Sequence, residues 1–318
     1  MVTKSFKTLD EQIEILKNKK LVIGNENYAK DVLLRENYFF LNGYRHLFMD
    51  PNNQKVFVEG TRFEEVYSLF LFDRSLRNIM FKYILVIENN LKSIISYVLS
   101  KKYGYKEKEY LKVKNFSSDP SKQKQISDLI NKMKRQIRVN GSQHSATLHY
   151  SSNYGYIPLW ILVKVLSFGI VSELYTILQK DDQKEISDIY KISVNNLVDY
   201  LPLLANYRNL CAHEDILFEN KTQKSIDNTI YHEKLNINKI EEEYIYGKND
   251  LFALIIILKQ MLSEEDFKNM VLELSNATNA LNYNINTIKI EKVLNRMGFP
   301  LNWKDIMNIE RSYDDRKN

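Results

Sequence analysis

With one cysteine in 318 residues the chain cannot build an internal disulfide framework, and with only 9 glycines and 5 prolines it is poorly suited to a loop-rich sandwich or a linker array. The opening stretch MVTKSFKTLDEQ lacks the apolar core of a secretion signal, and the longest apolar runs, around 161–166 and 251–258, are too short to span a bilayer. Together these absences point to a cytoplasmic protein with no membrane partner. The five histidines and single cysteine show no metal-ligand spacing, so neither a metal nor another cofactor is expected. Acidic residues are scarce in one window. From 101 to 140 there are 12 Lys or Arg against 4 Asp or Glu, a surplus of +8 in a chain whose net charge is +5, so the remainder sums to −3.

What is abundant is helix-forming. Leu, Ile, Lys, Glu and Asn dominate, and apolar residues recur at i, i+3, i+4 along most of the length, which predicts an all-α fold. An opening helix lies within 3–20. A second start at Asn25-Glu26-Asn27 leads into an aromatic stretch around Asn42-Gly43, read as core, with base stacking as its alternative. Pro51-Asn52-Asn53 and Glu59-Gly60 bracket a hairpin or loop. Thr61-x-x-Glu64 reads as a capping box opening a long helix or helix pair that reaches Lys102. On it Asp73 and Arg77 stand at i and i+4, with Arg74 beside them, as an intrahelical ion pair on a solvated face. Glu88 follows an apolar run, and a carboxylate placed there needs an Arg or His partner from elsewhere.

The basic window contains an amphipathic helix, SKQKQISDLINKMKRQIRVN, in which Ile126, Leu129, Ile130, Met133 and Ile137 are flanked by Lys122, Lys124, Lys132, Lys134, Arg135 and Arg138. A solvated face or a track for a nucleic-acid backbone would both look like this. Residues 140–156, with His144 and His149 among Ser, Asn, Gly and Tyr, read as a substrate-facing loop. PLWILVKVLSFGIVSELYTIL then reads as the central core helix, with Trp160 and Phe168 inside it. Ser193 caps a helix that Pro202 should kink or split, Asp250 opens another, the run from Ser263 to Asp266 a third and 288–297 a fourth, before a charged tail at 310–318.

The chain is organised around 207–220, YRNLCAHEDILFEN. Arg208 offers a permanently charged fork suited to phosphate, and His213 the side chain that titrates nearest neutrality, a pairing suited to phosphodiester chemistry. At about 100° per residue, Asn209 and His213 share a helix face, so the amide is placed to orient the imidazole, whereas Arg208 lies about 140° from His213. One copy therefore makes a poor closed site unless Arg208 bends back or a second copy faces it, which predicts a homodimer. Cys211 between them reads as a small buried hydrophobe.

The string RN-x-x-AH resembles the active-site motif of HEPN-type ribonucleases. In combination, FDRSLRN, IENNLKS, PLWILVKVLSFG, YRNLCAH, GKNDLFALIIILKQML and RMGFPLNW resemble, nearly end to end, the Abi_2 family of bacterial abortive-infection proteins of the AbiD and AbiF type, assigned to the HEPN superfamily. The resemblance implies a phage-defence or toxin-like protein that handles RNA, often beside a small structured RNA. It places Arg208 and His213 as the catalytic pair and Asn209 as the orienting residue. Asp73, Arg74, Arg77 and Glu88 are expected to support them. It also implies one domain over 1–318: an N-terminal helical part (1–60), a HEPN-like helical bundle (61–220) carrying the long basic helix and loop as an insertion (101–156), and further helices in a C-terminal part (221–318). The family pattern has an Arg and an Asn near 216 and 219, where this chain has Ile216 and Glu219, with Asn220 one place later.

The chemistry this predicts is cleavage of RNA, not DNA, by its own 2′-OH without a metal. The basic helix, His144 and His149 would contact the RNA, and either histidine or a partner's copy of His213 would supply a second titrating group. Two other classes fit the same residues: an RNA-binding protein without turnover, and a helical scaffold that senses a phage component.

Overall fold

The computed structural model describes residues 5–140 and 143–311, and the side chain of Phe39 is not among what is described. Helices account for most of the chain, and the two sheets among the described residues have two strands each, so the architecture is all-α as the periodicity predicts. In chain order the helices are α1 Leu9–Asn18, α2 Glu26–Glu36, α3 Phe39–Tyr44, α4 Phe63–Tyr103, α5 Glu107–Tyr110, α6 Gln123–Asn140, α7 Ser145–Tyr154, α8 Leu159–Val165, α9 Phe168–Thr176, α10 Lys180–Tyr190, α11 Val194–Ala212, α12 Ile230–Lys234, α13 Leu251–Met261, α14 Glu264–Asn284 and α15 Ile290–Met297. Strands β1 (Met49–Asp50) and β2 (Asn53–Phe57) form the hairpin expected at Pro51-Asn52, and β3 (Lys239–Ile240) pairs with β4 (Glu243–Tyr244). No described helix is long and apolar enough to cross a membrane.

The axis is α4, one unbroken helix of 41 residues with no glycine or proline inside it. At about 1.5 Å per residue it is about 60 Å long, enough to contact elements from both halves of the chain. Its neighbours are α14, α11, α8, α10 and α3. Arg62, not Thr61, occupies its N-cap position. Thr61 is drawn inside, and Glu65 is buried because its carboxylate accepts from the backbone N–H groups of Asn286 (2.8 Å) and Thr287 (2.9 Å), which ties the start of α4 to the segment after α14. Several helix starts have the expected caps: Asn25, Ser193, Asp250 and Ser263 each accept a hydrogen bond from a first-turn N–H.

Five expectations need correction. The apolar run from Pro158 is two helices, not one, because Leu166 adopts extended backbone and Ser167 caps a fresh start at α9. The central buried helix is instead α13, where every residue from 251 to 258 is buried. Trp160 lies on the outside of α8, 40% exposed, while Phe168 is in the core. Residues 145–154 are helical, and the expected loop contracts to their two ends; α7 packs against α6 and α8 and stops at Gly155, whose φ of 74° suits a residue without Cβ. Pro202 does not split α11, which runs through it to Ala212. Of the expected charged tail, 312–318 lie outside the described residues.

The aromatic stretch of the N-terminal part is core. Phe40 and Tyr44 are buried and pack on Phe63, Tyr67, Phe70 and Phe218 with ring centroids 5.1–6.3 Å apart.

Candidate active site

The motif sits where α11 runs antiparallel to α4. Arg208 lies beside Phe81 and Glu88 of α4, and the residues after the helix lie beside Arg77 and Asp73. The expected solvated ion pair is the opposite of what is found. Asp73 and Arg77 are both buried, because the turn following the motif folds over them. Asp73 Oδ1 accepts from the Phe218 N–H at 2.7 Å, and Oδ2 accepts from the Leu217 N–H at 3.1 Å, the Tyr44 hydroxyl at 2.7 Å and Arg77. Arg77 also donates to the Asp215 carbonyl at 3.3 Å. Burial pushes the Asp73 carboxyl above its usual range while these donors pull it back, and it pushes the Tyr44 hydroxyl up as well.

Arg74 completes the clamp from the surface side. It makes a forked pair with Glu36 (2.9 and 2.7 Å) and an ion pair with Glu214 at 3.6 Å, and its guanidinium lies 4.6 Å from the centroid of the Phe70 ring. Glu214 has a left-handed φ of 57°, so the chain reverses immediately after His213. On the far side Gly43 lets the turn approach closely, since a Cβ there would lie 2.4 Å from Ile216 Cδ1. Glu219 receives Arg296 at 2.7 Å and lies 3.1 Å from His46 Nε2. The departures at Ile216 and Glu219 are thus both used in anchoring the turn.

Glu88 has the partner its burial requires. Its Oε1 accepts from Lys92 Nζ at 2.7 Å, and its Oε2 faces Arg208 Nε at 3.5 Å, an ion pair outside hydrogen-bond geometry that leaves both atoms without a hydrogen-bond partner. Arg208, its side chain 33% exposed, also lies over the Phe81 ring at 5.6 Å. Glu88 and Lys92 line one wall of a cleft of about 650 Å³ whose other wall includes Trp160 and Lys164. Lys92 was not singled out from the sequence, although its i+4 spacing from Glu88 is legible there.

His213 stands at the end of its helix rather than within it. Helix α11 ends at Ala212, and His213 is the C-cap, held by its backbone N–H on the Asn209 carbonyl at 3.0 Å. Its imidazole and the Asn209 amide are both exposed, and among the described residues neither makes a hydrogen bond to the other or to a third side chain. Cys211 is partly buried, and burial pushes its thiol up to about 12, which leaves it protonated and unsuited to attack.

The remaining sequence-predicted residues stand apart from the motif. On α6, Lys124, Lys132, Arg135 and Arg138 line one shallow depression with Asp128 and Glu173. Lys132 is paired with Glu173 at 2.8 Å, and Lys122 donates to the Thr176 carbonyl at 2.9 Å, so both are partly committed within the fold. Lys134 is exposed but is not among the residues lining that depression. His144 precedes α7, and His149 within it approaches Asn153 at 3.0 Å. Among the described residues no hydrogen bond, ion pair or ring contact joins either histidine to 208–213. No group of three or more His, Cys, Asp or Glu among the described residues is placed to hold a metal ion.

The family model for Abi-like proteins matches residues 31–219, more than half of the chain and the whole of the segment from α3 through the motif. The chain therefore belongs to the Abi-like protein family, which connects it with abortive infection as a form of phage defence. No curated protein and no solved structure matches it.

Proposed function

We propose that this protein is a metal-independent endoribonuclease of the HEPN type that acts in abortive infection, with His213 moving the proton, Arg208 holding the phosphate and Asn209 orienting the imidazole. The observation that supports this most is the division of labour along α4. Asp73 and Arg77 anchor the backbone just after His213 and Arg74 pairs with the Glu214 side chain, while the imidazole stays exposed to solvent, and Glu88, which lines a cleft with Lys92, faces Arg208. An exposed titrating group on an anchored backbone and a cation on the same helix are two of the parts that general acid–base chemistry at a phosphate requires.

In the proposed step the substrate's 2′ oxygen attacks the adjacent phosphorus and gives up its proton to a base. The bond from phosphorus to the 5′ oxygen breaks, and that oxygen takes a proton from an acid. The products are a 2′,3′-cyclic phosphate and a 5′-OH. The motif supplies one imidazole per chain and so one of the two proton-transfer roles, and a second His213 from a partner chain, or His144 or His149 after a rearrangement, fills the other. RNA in this reading approaches along the basic face of α6, and a small structured RNA is the expected companion.

A second reading, RNA binding without turnover, is favoured by one contact: Arg208 already faces a carboxylate, so a phosphate must displace Glu88 before the cation is free. The experiment separates the two. Purified protein freed of bound RNA is incubated with a broad panel of RNA in excess EDTA. Cleavage that ends in 2′,3′-cyclic phosphate, is blocked by a 2′-deoxy residue at the cut and falls at least about 100-fold in both Arg208→Ala and His213→Ala supports the nuclease. Binding with no cleavage by the wild type supports the second reading.

A further inference from the structure

We propose that the aromatic rings running from Trp160 to Tyr150, three of them exposed and two half-buried, form a stacking track that takes the bases of single-stranded RNA and leads them into the cleft beside Glu88 and Lys92. The proposal rests on the RNA reading above and adds the strandedness of the substrate and its path.

The track is a second aromatic cluster, separate from the buried one around Tyr44. Trp160 lines the cleft itself. Its ring centroid is 5.8 Å from that of Tyr105, the residue after the Gly104 that ends α4; Tyr105 is 5.6 Å from Tyr156, Tyr156 is 6.3 Å from Tyr154, and Tyr154 is 5.4 Å from Tyr150. His149 flanks the far end, 5.5 Å from Tyr150. Helix α7 is the reason the rings line up, since it places Tyr150 and Tyr154 at i and i+4 on one face.

Unlike the buried cluster, this one meets solvent: Tyr105, Tyr154 and Trp160 are 41%, 56% and 40% exposed. Contiguous exposed aromatic surface costs free energy and marks a binding surface more often than a scattered ring does. The charges nearby say what it binds. Lys106 Nζ lies over the rings of Tyr105 (5.8 Å) and Tyr156 (5.0 Å), Lys164 stands one turn beyond Trp160 in the cleft wall, and among the described residues Glu88 is the only acid lining that cleft. Cations spaced among rings suit a polyanion whose flat groups are free to stack. A duplex hides its base faces, so the track selects single strands.

The test uses the wild-type chain and a 2′-O-methyl oligouridylate, which the 2′-OH mechanism cannot cleave. The chain has two tryptophans, and Trp303 is buried, so Trp160 is the one that bound bases reach. The expected result is tryptophan quenching that saturates together with the anisotropy of the labelled strand, and loss of that quenching in Trp160→Phe with binding retained. Tyr105→Ala and Tyr154→Ala should each weaken binding about tenfold or more, while the Phe variants stay near wild type, because stacking needs the ring and not the hydroxyl. An abasic strand of the same length should bind all these variants alike. A strand that binds by anisotropy with no quenching and no dependence on Tyr105 or Tyr154 overturns the track and leaves the RNA reading standing. No binding of any RNA, single-stranded or duplex, overturns both, as does capture of a proline-rich peptide through the same rings with no RNA bound.

Discussion

Replacing Asp73 by Asn exchanges one oxygen for an amide group at a fully buried carboxylate that accepts four hydrogen bonds. In either amide orientation at least one donor loses its acceptor. The milder orientation keeps oxygen at the Oδ2 position, for Tyr44, Leu217 and Arg77, and sets an NH₂ against the Phe218 N–H. An unsatisfied buried donor costs about 1–3 kcal/mol. Arg77 is buried too, with a side chain only 3% exposed, so it keeps its charge and loses the carboxylate that balanced it. Breaking a buried ion pair from one side costs about 3–5 kcal/mol. The two costs overlap. Because burial already raises the Asp73 pKa, part of the carboxylate's benefit is offset in the wild type, so the expected loss is near the lower end, about 3 kcal/mol. That is a large part of the ~5–15 kcal/mol that holds a domain folded. Urea unfolding followed by circular dichroism measures it. Amide hydrogen exchange then locates it, since the Leu217 and Phe218 amides should lose protection before those of α13. A loss below about 1 kcal/mol with both amides still protected would refute the assignment of Asp73 as the anchor of the motif turn.

The other predictions test separate parts of the structure. Gly43→Ala places a methyl 2.4 Å from Ile216 Cδ1, the far end of a half-buried side chain, and the gain in helix propensity offsets part of the clash, so the net loss should be under about 1 kcal/mol and Ile216→Val in the same chain should turn it into a gain; two additive effects in thermal melts would count against the close approach. His232 is buried between Thr229 and the Gly247 carbonyl, and burial lowers its pKa to about 4, so the unfolded chain takes up a proton that the native one refuses and stability falls as pH drops from about 6.5 to 4. Asp250, raised to about 6 by burial, acts in the opposite sense: its contribution is present at low pH and lost as pH rises through 6. The wild-type profile across that window should therefore be shallow, and Asp250→Asn, which keeps an acceptor at the α13 cap, should expose a fall of about 3 kcal/mol from pH 6.5 to 4 in urea titrations; a flat profile would contradict a neutral His232. If α6 contacts RNA backbone, Lys124→Gln, Arg135→Gln and Arg138→Gln should each lower the slope of log affinity against log salt by something under about one unit, and Lys132→Gln by less because of Glu173; unchanged slopes would return that face to solvent.

Local signals were legible wherever a single helix could be read by itself. The starts at Asn25, Ser193, Asp250 and Ser263 follow from one side chain and its own first turn, and α4 follows from a long apolar period unbroken by glycine or proline. So does the all-α class. The hexapeptide from Arg208 to His213 stood out by residue type, and a carboxylate after an apolar run correctly demanded a partner for Glu88.

Periodicity says which stripe of a helix is apolar, but it does not say which neighbour covers that stripe or what lies over the polar one. Asp73 and Arg77 read as a solvated pair because their spacing is the same on a surface or in a core; only the chain returning from 215 to 218 buries them. Trp160 read as core because its neighbours are apolar, yet α8 buries Leu159, Ile161, Leu162 and Val163 and leaves the indole at the cleft. Residues 145–154 carry almost no amphipathic signal, and their helix is held by contacts with α6 and α8 rather than by their own pattern. Side chains close together in sequence account for most of the helices, for the starts at Asn25, Ser193, Asp250 and Ser263, and for the reactive residue types. The tertiary structure alone decided which charges are paired, where α11 stops and which rings meet solvent, because each of these depends on residues far apart in the chain.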